Sequence, residues 1–115
     1  MKLMIDDANI ERIKEIYEYY PVDGVTTNPS ILAKSKRSPY DVLKEIREFI
    51  GDEAELHVQA VSGDAHGIAE EAHKIVKELG KNTYVKIPAV PEGFKAMQEL
   101  KDDGTFDNIK DTWFK

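Results

Sequence analysis

Hydrophobic and polar residues follow two different periods along the chain, and the two periods alternate. Short apolar runs or alternating patterns, which are typical of strands, occur at residues 3–5, 24–27, 56–61 and 83–87. Between and after these runs, apolar residues recur three and four positions apart and predict the buried faces of helices. These faces comprise Ile10, Ile13, Tyr17 and Tyr20, then Val42, Ile46, Phe49 and Ile50, then Ile68, Ala72, Ile75, Val76 and Leu79, and finally Phe94, Met97 and Leu100. The order βαβαβαβα predicts an α/β fold with parallel strands and right-handed helical crossovers.

Residues that start and stop helices flank these segments. Asp7, Ser38 and Asp64 are predicted N-caps, because their side-chain oxygens can accept hydrogen bonds from the amides of a first helical turn. Gly51 and Gly80 follow two of the helical segments, and glycine readily ends a helix. We therefore predict one structural unit over residues 1–104.

The last residues, 105–115, do not continue the alternation. Phe106, Ile109 and Trp113 fall at helical spacing where a fifth strand would be expected. We predict that residues 105–115 form a separate tail containing a short amphipathic helix.

Composition narrows the class of protein. A chain of 115 residues with 41% hydrophobic positions has room for one globular domain and one modest core. Its 22 acidic and 16 basic residues give a net charge of −6, which argues against a nucleic-acid partner. The lack of cysteine excludes a disulfide scaffold, a cysteine–zinc site and a thiol nucleophile.

Location and cofactors can also be predicted from the sequence. Acidic residues at positions 6 and 7 come too early for a signal peptide, and no apolar run approaches the roughly 18 residues of a membrane span. We therefore expect a cytoplasmic protein with no membrane partner. His57, His66 and His73 lack metal-ligand spacing, and glycine-rich phosphate loops are missing, so we expect neither a metal nor another cofactor.

Lys86 is an unusual residue for its position between Val85 and Ile87 in a predicted buried strand. A dry interior favours the neutral amine, and a neutral amine attacks carbonyl groups to form a Schiff base. The alternative is a lysine whose stem lies along apolar surface while its ammonium reaches water.

Four more polar residues fall late in consecutive predicted strands, where barrel enzymes place their active residues. Asp6 could act as an acid or base, or could cap the following helix. Thr26 and Asn28 lie at the end of the second predicted strand, and Asn28 could equally be only the cap of the short turn that follows it. Gln59 could position a water molecule, or could be a core amide with satisfied hydrogen bonds. In a (β/α) barrel these strand ends and that of Lys86 would converge on one opening.

Three segments of the chain resemble the transaldolase family, in particular the small branch that includes fructose-6-phosphate aldolase. The matching strings are MIDDAN at 4–9, DGVTTNPS at 23–30, and YVKIP at 84–88 followed by PEG at 91–93. The resemblance runs to about Gly104 and covers roughly the first half of a (β/α)8, or TIM, barrel of 200 or more residues. It therefore implies a (βα)4 half-barrel.

The resemblance also implies roles for single residues. Lys86 would be the Schiff-base nucleophile that holds a dihydroxyacetone unit, and Asp6 would handle protons and orient the substrate. Thr26 and Asn28 would bind the substrate and the intermediate, and Gln59 would help to hold the catalytic water. Members of the family cleave a ketose or transfer its dihydroxyacetone unit to an aldehyde, and they need no metal for it.

Two interpretations follow for the chain. In the first it is a class I aldolase or transaldolase that acts on sugar phosphates in carbohydrate metabolism, such as the pentose phosphate reactions. In the second it is a truncated, inactive half-barrel, because the arginine and serine that bind the substrate phosphate belong to the half that the resemblance does not cover. Residues 105–115 show no resemblance to the family.

A half-barrel also predicts self-association. Its first or last strand would keep unpaired backbone groups, and its inward-facing side chains would meet water, which costs stability for each large apolar side chain left exposed. We therefore expect a homodimer or a larger homo-oligomer, or else a tail that covers the exposed face within a monomer.

Overall fold

The computed structural model describes residues 1–102 in full and the backbone of residues 111–113. The strands are β1 (Met4–Asp6), β2 (Gly24–Thr26), β3 (Glu55–Gln59), β4 (Thr83–Pro88) and β5 (Asp111–Trp113). The helices are α1 (Ile10–Tyr19), α2 (Pro29–Ala33), α3 (Pro39–Ile50), α4 (Ala65–Leu79) and α5 (Pro91–Asp102). None of the helices described is long and apolar enough to cross a membrane.

The strands form one parallel sheet in the order β1-β2-β3-β4-β5. The helices pack in sequence beside one another, α1 against α3, α3 against α4 and α4 against α5. Helices that connect neighbouring parallel strands by crossovers of one hand must lie on one face of the sheet. The predicted α/β fold with four parallel strands and alternating helices is therefore confirmed, as expected for a (βα)4 half-barrel.

The two faces of the sheet differ in chemistry. Residues that point toward the helices are buried and apolar: Ile5, Val25, Leu56, Val58, Val85 and Ile87. The opposite face, here called the open face, carries half-buried or exposed residues at the alternate positions except for the buried Gly24, and most of these residues are polar. The inward-facing side chains are therefore partly exposed, and most of them are polar. Exposing polar groups costs far less than exposing apolar ones.

The helix ends follow the sequence signals with one correction. Asn9, not Asp7, caps α1, since its Oδ1 accepts hydrogen bonds from the amides of the first turn at 3.1 and 3.2 Å. The carboxylate of Asp7 instead accepts from the two amides that follow it, at 2.8 and 3.0 Å. Asp64 caps α4 as predicted, whereas Ser38 occupies the cap position of α3 without a side-chain hydrogen bond. Gly51 and Gly80 end α3 and α4 as predicted, with φ of 81° and 83°.

The tail contains a strand where we predicted a helix. Asp111–Trp113 form β5, which pairs in parallel with β4 so that Asp111 lies opposite Lys86. The prediction of a helix at Trp113 is therefore wrong. The other two residues of that predicted helix, Phe106 and Ile109, lie outside the described residues. The edge of β4 offers backbone donors and acceptors that a strand satisfies and a helix does not. Threonine and tryptophan, at positions 112 and 113, also favour strands.

Arg47 is a buried charged residue that connects the helical layer to the amino-terminal end of the sheet. It lies on α3 with 8% exposure, and its guanidinium donates hydrogen bonds of 2.7–3.1 Å to uncharged oxygen atoms. The acceptors are the carbonyl oxygens of Gly51, Ala54, Leu79 and Asn82 and the hydroxyl of Thr83. The side chain thereby ties together the loops before β3 and β4. Burial lowers the pKa of Arg47 below its ordinary value.

Candidate active site

Four of the predicted site residues lie on the open face, at the carboxyl-terminal ends of their strands. The strand register places Asp6 opposite Thr26, and Gln59 opposite Lys86. Thr26 lies opposite His57, which precedes Gln59 by two residues. The residues therefore form two neighbouring rows, separated by about 7 Å along the strands. The sequence predicted that all four residues lie at the carboxyl-terminal edge of the sheet, but it did not predict that they occupy two different rows.

Asp6 and Thr26 form a direct contact between the first two strands. The hydroxyl of Thr26 donates a hydrogen bond of 2.8 Å to Oδ1 of Asp6. This bond fixes the carboxylate above the open face and leaves Oδ2 for another group. The carboxylate side chain is exposed, so a substrate can reach it.

Asn28 lies after β2 and caps the helix that follows, which is one of the roles that the sequence allowed. Its Oδ1 accepts a hydrogen bond of 2.9 Å from the amide of Ile31 and so caps α2. The cap leaves the side-chain NH2 group of Asn28 as a donor for a ligand. The preceding residue, Thr27, is 1% exposed and donates its hydroxyl to the carbonyl oxygen of His57 at 2.9 Å, which anchors this loop to β3.

Lys86 occupies the open face because side chains alternate along β4. Its neighbours Val85 and Ile87 are fully buried against the helices, whereas Lys86 is half-buried. The carbonyl oxygen of Lys86 accepts a hydrogen bond of 3.0 Å from the amide of Ala60, which holds β3 and β4 in the register that pairs Lys86 with Gln59. The lysine that looked misplaced in an apolar strand therefore points away from the apolar core.

A polar cluster on the open face was missed by the sequence analysis. Nε2 of His57 lies 3.0 Å from Oε1 of Glu55, and the other carboxylate oxygen of Glu55 binds the ammonium of Lys2. The ring of Tyr84 lies beside that of His57, with centroids 4.9 Å apart. Burial raises the pKa of Glu55, but the hydrogen bonds from Lys2 and His57 outweigh it and hold the pKa below its ordinary value. The period-two spacing of Glu55, His57 and Gln59 in the sequence could have indicated that these three polar side chains share one face of β3.

A cavity of about 510 Å³ opens beside Asp6, between the loop after β1 and the segment that joins α2 to α3. Its lining includes the basic side chains of Arg12, Lys34 and Arg37. Arg12 pairs with Asp7 at 2.9 Å, and Arg37 pairs with a carboxylate of α3 at 3.1 Å. Basic side chains are therefore available near Asp6, although two of them already have acidic partners. Within the described ranges, no three potential metal ligands come together.

Comparison with known proteins identifies the family. The family model described as transaldolase/fructose-6-phosphate aldolase matches residues 3–109. The chain is 40% identical over 106 residues to a probable fructose-6-phosphate aldolase of Streptococcus pneumoniae, an alignment that covers 90% of this chain and 47% of the relative. It is 41% identical over 109 residues to a probable transaldolase of Aquifex aeolicus, covering 95% of this chain and 49% of the relative.

The chain is also 40% identical over 109 residues to a probable transaldolase of Methanococcus maripaludis, covering 95% of this chain and 49% of the relative. The chain thus spans about half the length of the curated relatives that it matches. The family match ends at residue 109, beyond the position near Gly104 where we placed the end of the resemblance, so part of the predicted tail belongs to the matched region. The chain belongs to the transaldolase/fructose-6-phosphate aldolase family.

Proposed function

We propose that Lys86 is the Schiff-base nucleophile of a class I aldol reaction on a ketose phosphate, in which a dihydroxyacetone unit is released or transferred. The observation that carries the proposal is the placement of Lys86 on the open face, opposite Gln59 of the neighbouring strand and on the same face as the Asp6–Thr26 pair of β1 and β2. An amine, an amide and a carboxylate are the groups that imine formation, water handling and proton transfer require. We assign this chemistry to cytoplasmic carbohydrate metabolism.

The reaction follows from these groups in balanced steps. The amine of Lys86 adds to the C2 carbonyl of the ketose, and loss of one water with uptake of one proton from solvent gives a protonated imine, the proton being released again when the imine is hydrolysed. The bond between C3 and C4 then breaks, its electron pair forms an enamine on the lysine, and the C4 hydroxyl proton passes to the carboxylate of Asp6. The enamine takes a proton or attacks a second aldehyde, and one water molecule hydrolyses the imine and frees the lysine.

The remaining residues position the substrate and the water. The Thr26–Asp6 hydrogen bond of 2.8 Å orients the carboxylate toward the space above the sheet. The NH2 group of Asn28 can donate to a substrate hydroxyl because the cap of α2 uses only its carbonyl oxygen. Gln59 lies beside Lys86 in the register and is the residue that we assign to the hydrolytic water.

Borohydride trapping tests the proposal directly. The protein is incubated with dihydroxyacetone or fructose 6-phosphate, reduced, digested and analysed by mass spectrometry. We expect one adduct, on the peptide that contains Lys86, and none in Lys86→Met. Lys81→Met is the matched control, because Lys81 precedes the same strand and is exposed. Equal labelling of Lys86→Met and the unmodified chain would overturn the assignment.

A second candidate is a half-barrel that self-associates and does not turn over substrate. The observation that favours it is the coverage of about half of each relative. Loss of the contacts that anchor a phosphate costs several kcal/mol of transition-state binding, and each 1.4 kcal/mol is about a factor of ten in rate. Cleavage of fructose 6-phosphate that is readily measured and is abolished in Lys86→Met would exclude this candidate.

A further inference from the structure

The loop that follows β3 is held by a glutamate of the next helix. Oε1 of Glu71, on α4, accepts hydrogen bonds from the amides of Val61 at 2.8 Å and Ser62 at 3.0 Å. The amide before these two, that of Ala60, donates to the carbonyl oxygen of Lys86 at 3.0 Å. Three consecutive amides beyond the end of β3 are therefore fixed, one to β4 and two to α4.

The surroundings of Glu71 do not favour a carboxylate. The residue is half-buried and lies one turn from Ile68 and Ile75, which belong to the buried apolar face of α4. It lines a cavity of about 220 Å³ whose other walls are mostly apolar side chains of α2, α3 and β3. A carboxylate in such a place costs free energy unless hydrogen bonds compensate for its lost hydration. The two loop amides supply such bonds, which ties this carboxylate to the loop.

Gln59 connects this loop to the candidate active site. It is the last residue of β3, it lies opposite Lys86 in the strand register, and it lines the same cavity as Glu71. The end of a strand frays unless the backbone beyond it is held. The amides that Glu71 binds belong to the second and third residues after Gln59, so the carboxylate limits the movement of this strand end.

We propose that Glu71 is a positioning residue, which holds the loop after β3 and thereby keeps Gln59 beside Lys86. This inference rests on the proposed function, in which Gln59 holds the water that leaves when the Lys86 imine forms and that returns when the imine is hydrolysed. The two steps are the reverse of each other. A displaced Gln59 therefore slows both steps and changes the equilibrium amount of imine far less.

The rate of imine formation tests the proposal. Dihydroxyacetone is mixed with the chain, borohydride is added after increasing times, and the adduct on the Lys86 peptide is quantified. We expect Glu71→Met to react about 10- to 100-fold more slowly and to reach the same final labelling. Glu71→Gln, which keeps an acceptor oxygen, should react at nearly the unmodified rate. Glu70→Met is the matched control and should also react normally, because Glu70 is adjacent on α4 but its side chain is 71% exposed.

A double variant separates positioning from a general effect on stability. Because Glu71 acts through Gln59, we expect Gln59→Ala to react slowly and the addition of Glu71→Met to slow it no further. Hydrogen exchange measures the contact itself. The amides of Val61 and Ser62 should exchange at least about 10-fold faster in Glu71→Met than in the unmodified chain, with or without dihydroxyacetone.

The outcomes distinguish this inference from the proposed function. If the unmodified chain forms no adduct on Lys86, the proposed function fails and the inference fails with it. If the unmodified chain is labelled, equal rates in Glu71→Met or additive effects of the two substitutions would overturn the inference alone. Circular dichroism checks that each variant folds, and if Glu71→Met unfolds, Glu71→Ala, which adds no bulk to the cavity, decides.

Discussion

Replacement of Arg47 by methionine probes how the helical layer is attached to the sheet. The change keeps most of the length and the apolar stem of the side chain and removes the guanidinium. It therefore leaves four carbonyl oxygens and the hydroxyl of Thr83 without this donor, in a region that the methionine side chain would keep closed to water.

The magnitude follows from the hydrogen bonds and from burial. Bonds to a charged donor contribute roughly 1.5–3 kcal/mol each, but bonds that share one side chain do not add. Some acceptors keep another donor, since the hydroxyl of Thr83 also donates to the carbonyl of Leu79 at 3.2 Å. Removal of one partner from a buried polar network typically costs about 3–5 kcal/mol. We expect a loss of that size in Arg47→Met, which is a large part of the roughly 5–15 kcal/mol available to a small domain.

Urea unfolding followed by circular dichroism measures the effect. Arg37→Met provides the control, because Arg37 makes a comparable contact of 3.1 Å to Glu45 but both side chains are largely exposed. Such surface pairs contribute about 0–1 kcal/mol. If Arg47→Met costs less than about 1 kcal/mol, or no more than Arg37→Met, water must satisfy these carbonyls and the reasoning fails.

Two further predictions concern packing and pH. A Cβ at position 93 would lie 1.9 Å from the carbonyl oxygen of Pro88, so Gly93→Ala should push α5 away from β4 and destabilise the fold by about 1–3 kcal/mol in the same unfolding assay. Gly63→Ala is the control and should be neutral, because a Cβ at position 63 would have no atom within 4 Å. Because its folded-state pKa is depressed, Glu55 stabilises the protein above the ordinary carboxyl value of 4.5 and loses this effect as pH falls through the lower folded value. Glu55→Gln should thus destabilise more at pH 7 than near pH 3, and a loss that is equal at both pH values would refute it.

Strands and helices could be predicted because each has one buried face. Alternation of Leu56, Val58 and Ala60 follows from a sheet whose helix side is apolar and whose open side is polar. The same pattern explains Lys86 without strain, because an open-face position excludes it from the apolar core. The tail could not be predicted this way, since the edge of β4 stabilises β5 and no local spacing reveals that edge.

Long-range contacts escaped the sequence analysis for a different reason. Arg47 follows Ile46 on an otherwise apolar face of α3, but its acceptors lie as far as 36 residues away, where sequence spacing gives no signal. The Glu55–His57 pair has a local spacing, and only the parallel register shows that His57 lies beside Thr26 and Tyr84.

The stagger between the two rows of the site bears on how the half-barrel could work. Asp6 and Thr26 lie level with His57, and Lys86 lies one row nearer the carboxyl-terminal edge. Because β2 and β3 lie between them, about 14 Å of a flat sheet at roughly 4.8 Å per strand separates Asp6 from Lys86, so the proposed proton transfer requires the sheet to curve as in a barrel. The open face between them carries Thr26, His57 and Gln59, which can bind the hydroxyl groups of a ketose. The proposed reaction also requires that bulk water be excluded from this face while the enamine is present.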